Sequence, residues 1–128
     1  MILDIGDLPS IKDREKGKIV YARGAFDILH AGHIDFLEYA KQQGDVLIVG
    51  IISDQVIRQN KGADRPIKDE RDRLEVMNAI RYADYTFIVP APTNSKTHLR
   101  RLSLSFLNHM FLYYSMRKLN TLLILKNY

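Results

Sequence analysis

Apolar residues recur along the chain with two different spacings, and the spacings mark out the elements. Residues 18–22, KIVYA, read as a first strand after a lead-in over residues 1–17 with a short turn at Pro9-Ser10. Residues 31–43 repeat apolar groups at Ile34, Leu37 and Ala40, with Phe36 and Tyr39 alongside, which is helical spacing, and Gly44 is placed to end that helix. DVLIVGII, residues 45–52, is a near-continuous Val- and Ile-rich run that suits a parallel strand covered on both faces. Residues 53–59 make a short helix, and KGADRP, residues 61–66, a loop. Asp69 caps a helix over residues 70–82 with a buried stripe of Leu74, Val76, Met77 and Ile80. Residues 84–89 read as a third strand, and Pro90, Pro92 and Asn94 mark a loop. The pattern then predicts one more helix over residues 97–118 and a fourth strand in TLLILK, residues 121–126. Strands alternating with helices over short links predict an α/β fold, with right-handed crossovers and helices on both faces of a parallel sheet of about four strands.

Composition adds a division of the chain. All 15 acidic residues lie at or before Asp84, so residues 1–90, with 13 Lys and Arg, are net −2. Residues 91–128 carry Lys96, Arg100, Arg101, Arg117, Lys118 and Lys126 and no acid, a net +6. A basic, Leu-rich tail raises the question of nucleic acid or an anionic membrane. The bases are scattered rather than clustered, so solvated side chains on a terminal segment are the expectation, with no nucleic-acid partner and no stable membrane insertion. No apolar run approaches the eighteen or so residues of a membrane span. The N-terminus, MILDIGDLPSIKDREKG, is too acidic for a signal peptide, so a cytoplasmic protein is expected. The chain has no cysteine, which excludes disulfides and thiolate metal sites. One domain is expected, divided into the lead-in 1–17, a core over 18–90 and a divergent tail over 91–128.

The stretch with candidate chemistry is GAFDILHAGHIDF, residues 24–36, at a strand-to-helix junction. Ligands of open parallel sheets bind beyond the carboxyl ends of the strands, and free amides at a helix start favour an anion. His30 and His33, three apart, share one face of the first turn, and Gly24 and Gly32 let backbone approach a ligand closely. Free amides, two imidazoles and little bulk suit the α-phosphate of a nucleotide. Two other readings stand beside this one. Two His at this spacing can chelate zinc, but a third ligand is needed, and His98, His109 and the carboxylates have no motif-like spacing. Alternatively the imidazoles cap the helix or pack in the core.

GAFDILHAGH resembles the nucleotide-binding signature of the cytidylyltransferase-like nucleotidyltransferases: His, any residue, Gly, His after a strand ending in Gly-x-Phe-Asp. The resemblance extends through Gly44-Asp45, Ser53-Asp54, Lys61-Gly62, Arg65-Pro66, Arg73 and RYADY (81–85), in the family's order over residues 18–90. KGADRPI looks most like the heptose 1-phosphate adenylyltransferases, with glycerol-phosphate and ethanolamine-phosphate cytidylyltransferases close behind. The resemblance implies a Rossmann-like three-layer fold. It also implies transfer of a nucleoside monophosphate from ATP or CTP to a phosphorylated sugar, polyol or alcohol, with release of pyrophosphate. By similarity the catalytic residues are His30, His33, Lys61 and Arg73, and Gly24, Ala25, Phe26, Asp27, Gly32 and Ser53 bind the nucleotide. Mg²⁺ arrives with the phosphates and the protein itself holds no metal. Simpler roles compete: Asp27 caps the first helix or orients a histidine, Ser53-Asp54 cap the second helix, and Arg73 pairs with Asp69 or Asp72 on a helix surface.

After Pro90 the resemblance fades. Family members continue with a strand ending in a Gly-Asp-type element and then a hydroxyl-rich segment that holds the β- and γ-phosphates. Here Lys126-Asn127-Tyr128 stand where the first begins, and Ser103 and Ser105 lie in a Leu-rich run. The acid-free tail coincides with this loss. It predicts, as the alternative, a truncated or frame-altered terminus on a nucleotide-binding core of weak turnover. A homodimer through Phe111, Leu112, Tyr113 and Tyr114 is a further expectation.

Overall fold

The computed structural model describes residues 1–90 and, as backbone only, Met110–Met116 and Asn120–Leu125. Its centre is three parallel strands, β1 (Ile19–Gly24), β2 (Val46–Ile52) and β3 (Tyr85–Val89), with β2 in the middle. Ile19 lies opposite Val46 and Gly24 opposite Ile51, so the carboxyl ends of β1 and β2 finish at one level. Every residue of β2 is buried, which is what its unbroken apolar run requires of a strand covered on both faces.

Side-chain alternation sorts the strands into two cores. Val20, Ala22, Leu47, Val49 and Ile51 face Phe36, Leu37 and Ala40 of α2 (Ala31–Gln42) and Leu74 and Met77 of α4 (Glu70–Asn78). Ile19, Tyr21, Val46, Ile48, Phe87 and Val89 face the other way and meet Leu8 and Ile11. Those two residues lie on α1 (Leu8–Arg14), so the lead-in is a helix rather than a simple turn. Pro9 sits in its first turn, where a missing N–H leaves no bond unmade, and the Tyr85 hydroxyl donates to Glu15 just past its end. Helices on both faces make the three-layer α/β arrangement that the pattern predicts.

Several boundaries differ from expectation for local reasons. α4 ends at Asn78, and Val76 is 51% exposed while Met77 is fully buried. At 100° per residue Val76 lies far round the helix from Leu74, whereas Met77, three on, shares its face. The Asp69 cap is present: its carboxylate accepts the Asp72 N–H at 2.8 Å. Gly44 does not close α2 through a left-handed turn. It allows close approach, since a Cβ there would lie 2.6 Å from both the Lys18 carbonyl oxygen and Val20 Cγ2.

On the far side of β1 the sheet continues with β5 (Asn120–Leu125) and then β4 (Met110–Met116). The helix expected over 97–118 is therefore corrected: residues 110–116 are a strand, and 97–109 lie outside the described residues. The stretch MFLYYSM is rich in aromatic residues that favour a pleated surface, and β1 offers an unpaired edge to the hairpin. The fourth strand is present but runs antiparallel to β1, with Ile19 opposite Leu125 and Arg23 opposite Thr121. The sheet thus has five strands, three of them parallel. Among the described residues no helix is long and apolar enough to cross a membrane.

Candidate functional site

The first turn of α2 is built by its own histidines. His30 is the N-cap in an extended conformation, and its Nδ1 accepts the Gly32 N–H at 3.1 Å. His33 reaches back so that its Nδ1 accepts the His30 N–H at 3.3 Å. Gly32 makes room for this, because a Cβ would stand 3.0 and 3.1 Å from atoms of the His30 ring. The two rings stack with centroids 3.9 Å apart at 27°. The capping reading of the pair is therefore correct, and it does not compete with chemistry. A ring that accepts at Nδ1 carries its proton on Nε2 when neutral. With Nδ1 engaged, Nε2 is the atom each ring has left for a ligand.

Asp27 does not cap α2 and does not touch either histidine. Its carboxylate accepts the N–H groups of Ile67, at 3.0 and 2.9 Å, and Lys68, at 2.8 Å, with Arg65 Nη1 at 3.6 Å. Burial alone raises the Asp27 carboxyl. The Lys68 and Ile67 amides and the Arg73 and Arg65 charges outweigh it and hold the group below its ordinary range. Phe26, between β1 and Asp27, has φ +48°, a left-handed conformation costing a bulky residue about 1–3 kcal/mol. Its ring is buried, edge-on to His33 at 5.4 Å and 6.5 Å from Phe36. That packing sustains the bend that turns the chain from strand to helix.

α3 (Asp54–Lys61) begins at the end of β2, with Ser53 as N-cap by position. Ser53 makes no side-chain cap. Its buried hydroxyl has no partner, and the Asp54 N–H bonds instead to Glu70 Oε2 at 2.8 Å. Lys61, at the other end of α3, is exposed, and Gly62 at φ +100° turns the chain away. Burial, the His30 ring and the Lys61 charge, in that order, lower the His33 pKa below the ordinary imidazole value. Lys61 thus bears on His33 through its charge.

Arg73 is placed differently. It is 2% exposed, and its guanidinium donates to the carbonyls of Ala25 (2.6 Å), Ile52 (2.8 Å) and Lys68 (2.9 Å) and to Asp54 Oδ1 (2.7 Å). It pairs with neither Asp69 nor Asp72 and faces inward, behind the turn. Gly24 and Ala25 are buried at the end of β1. Sequence reasoning gave Asp54 only as a helix cap and missed Glu70, whose one local signal is an acid at the start of a helix. A groove of about 430 Å³ opens beside the turn, between residues 26–29 and α4. Among the described residues no three His, Asp or Glu gather as a metal site, and His98 and His109 lie outside them.

The cytidylyltransferase-like family model matches residues 21–113, most of the chain. The chain belongs to the cytidylyltransferase-like family. Bifunctional protein HldE of Helicobacter acinonychis (strain Sheeba) is 41% identical to this cytidylyltransferase-like domain over 92 residues, 72% of this chain and 20% of that protein. The protein of the same name in Wolinella succinogenes is 46% identical over 81 residues, 62% of this chain and 17% of its own. The chain therefore spans about one fifth of the length of the curated relatives it matches. Among solved structures, the lipopolysaccharide core biosynthesis protein from Thermoplasma volcanium GSS1 is 34% identical with a TM-score of 0.56, covering 64% of this chain and 65% of that one. These likenesses agree with the resemblance carried by GAFDILHAGH and KGADRPI.

Proposed function

We propose that this domain transfers a nucleoside monophosphate from ATP or CTP to a phosphorylated sugar, polyol or alcohol. An oxygen of the acceptor phosphate attacks the α-phosphorus, the bond to the oxygen bridging α and β breaks, and pyrophosphate leaves with the electron pair. The acceptor phosphate is already ionised, so no general base is required. The observation that carries this reading is that the Nδ1 atoms of His30 and His33 are both engaged as acceptors within the first turn of α2. With both Nδ1 atoms engaged, the pair offers Nε2–H donors at the start of α2, where charge develops on the α-phosphate. The Lys61 charge adds to theirs, and the Phe26 bend turns the chain from β1 into this helix start. Mg²⁺ would arrive with the nucleotide and would supply charge neutralisation of its phosphates.

The Thermoplasma volcanium protein is described as acting in lipopolysaccharide core biosynthesis, which favours a sugar phosphate as acceptor. A nucleoside triphosphate substrate suits a cytoplasmic protein. Pyrophosphate release with ATP or CTP, dependent on one of a panel of sugar and polyol phosphates, is the expected result. A nucleotide-binding protein of low turnover is the second reading. It is favoured by the antiparallel β5 on the edge of β1, where the pattern predicts a parallel strand. Nucleotide binding without pyrophosphate from any acceptor would select it.

A further inference from the structure

Arg73 is the one charged residue buried among the described residues, and its partners lie at three separate junctions of the chain. It grips Ala25 after β1, Ile52 and Asp54 around the end of β2, and Lys68 before α4. Asp27 grips the same last loop from the other side, taking the amides of Ile67 and Lys68 while Arg73 takes the Lys68 carbonyl. Lys61 at the last position of α3 and residues 62–65 between α3 and this grip are all exposed, so little packing restrains them. We propose that Asp27 and Arg73 form a clasp that fixes residues 62–68, and through them the end of α3 from which the Lys61 ammonium acts on the histidine pair. Both are positioning residues: neither touches substrate, and both act through Lys61 and His33. The inference rests on the proposed site but not on its turnover.

The planar fork is what this role demands. It meets three carbonyls and a carboxylate at once, which a lysine ammonium on a flexible stem cannot do. Lys61 also contributes to the lowering of the His33 pKa, which gives the clasp a readout independent of catalysis.

The test is an NMR titration of His33 in the wild type, Asp27→Asn, Lys61→Met and the double variant, with steady-state kinetics of Asp27→Asn and Arg73→Lys. Loss of the Asp27 charge by itself would lower the His33 midpoint. A rise in Asp27→Asn toward the Lys61→Met value, with no further rise in the double variant, is the expected result and reports departure of Lys61. Both clasp variants should lose tenfold or more in kcat with nucleotide KM within threefold. A His33 midpoint unmoved or lowered in folded Asp27→Asn overturns the clasp. So does an Arg73→Lys effect confined to KM, which would mark direct phosphate contact. If Asp27→Asn does not fold, hydrogen exchange of the wild type decides, because the Ile67 and Lys68 amides must be protected. A wild type that releases no pyrophosphate defeats the proposed function, while the titration and exchange still decide the clasp.

Discussion

Replacing His30 separates its structural role from its chemical one. In His30→Ala the Gly32 N–H loses its acceptor, while the bond from His30 N–H to His33 needs only backbone and remains. Loss of an N-cap costs about 1 kcal/mol. For a chain of this size that lowers Tm by about 4 °C. His30→Ser restores an oxygen acceptor at the cap without an Nε2–H donor. It should therefore recover the lost stability and none of the activity. Removal of one preorganised donor to a developing oxyanion costs about 10²–10³-fold in kcat, so both variants should fall by that factor. Urea denaturation followed by circular dichroism, beside a coupled pyrophosphate assay, measures both quantities on the same preparations. Two results would refute the reasoning: a serine variant as unstable as the alanine variant, or one that turns over like wild type.

Gly44→Ala drives a methyl to 2.6 Å from a carbonyl that two amides already hold, those of Asp45 and Val46. A loss of about 1–3 kcal/mol with unchanged m-value is expected, and an unshifted urea midpoint would contradict the close-approach role. Met77→Ala should cost about 2–5 kcal/mol and its neighbour Val76→Ser no more than about 0.5 kcal/mol, a contrast that a shared buried stripe would not give. Because the folded state lowers the His33 pKa, the unfolded chain binds the proton more readily as pH falls below about 6.5. Stability from this group is complete above that value and declines down to the folded pKa. The urea midpoint should drop from pH 7.5 to 5.5, and less so in His33→Gln; an equal drop in both would exclude the group.

The elements legible in the sequence are those fixed by local pattern. β2 announces itself because burial on both faces leaves no polar position between Val46 and Ile52, and α2 because Leu37 and Ala40 keep helical spacing through to Gly44. Asp69 is readable as a cap because its partner, Asp72, is three residues away. The tail is not legible in this way. MFLYYSM has the apolar density of either a helix or a strand, and its state follows from pairing with β5, which itself lies on the edge of β1 about a hundred residues earlier in the chain. The lead-in helix is missed for a related reason: Leu8 and Ile11 alone show too little period to be recognised before the face they cover is known.

The same distinction runs through the site. His30 and His33 act on amides within three residues, so the motif and its geometry are one object and the sequence exposes both. Arg73 and Asp27 act on backbone groups 5 to 48 residues distant, and a backbone carbonyl has no letter of its own. An arginine that meets phosphate and an arginine that meets three carbonyls occupy the same position in the same motif, and only burial tells them apart. Once the guanidinium is seen behind the turn, the charged residues of the motif divide by the medium they face. Lys61, in water at the end of α3, is left with its field for the ligand, whereas Asp27 and Arg73 hold the backbone of the turns around it. A motif arginine buried to this degree is then evidence for a prearranged site, because leaving either it or Asp54 unpaired in the interior would cost about 3–5 kcal/mol. The strain at Phe26 has the same consequence. A chain free to relax would not hold a phenylalanine at φ +48° beside two stacked imidazoles, so the turn is set before any nucleotide arrives.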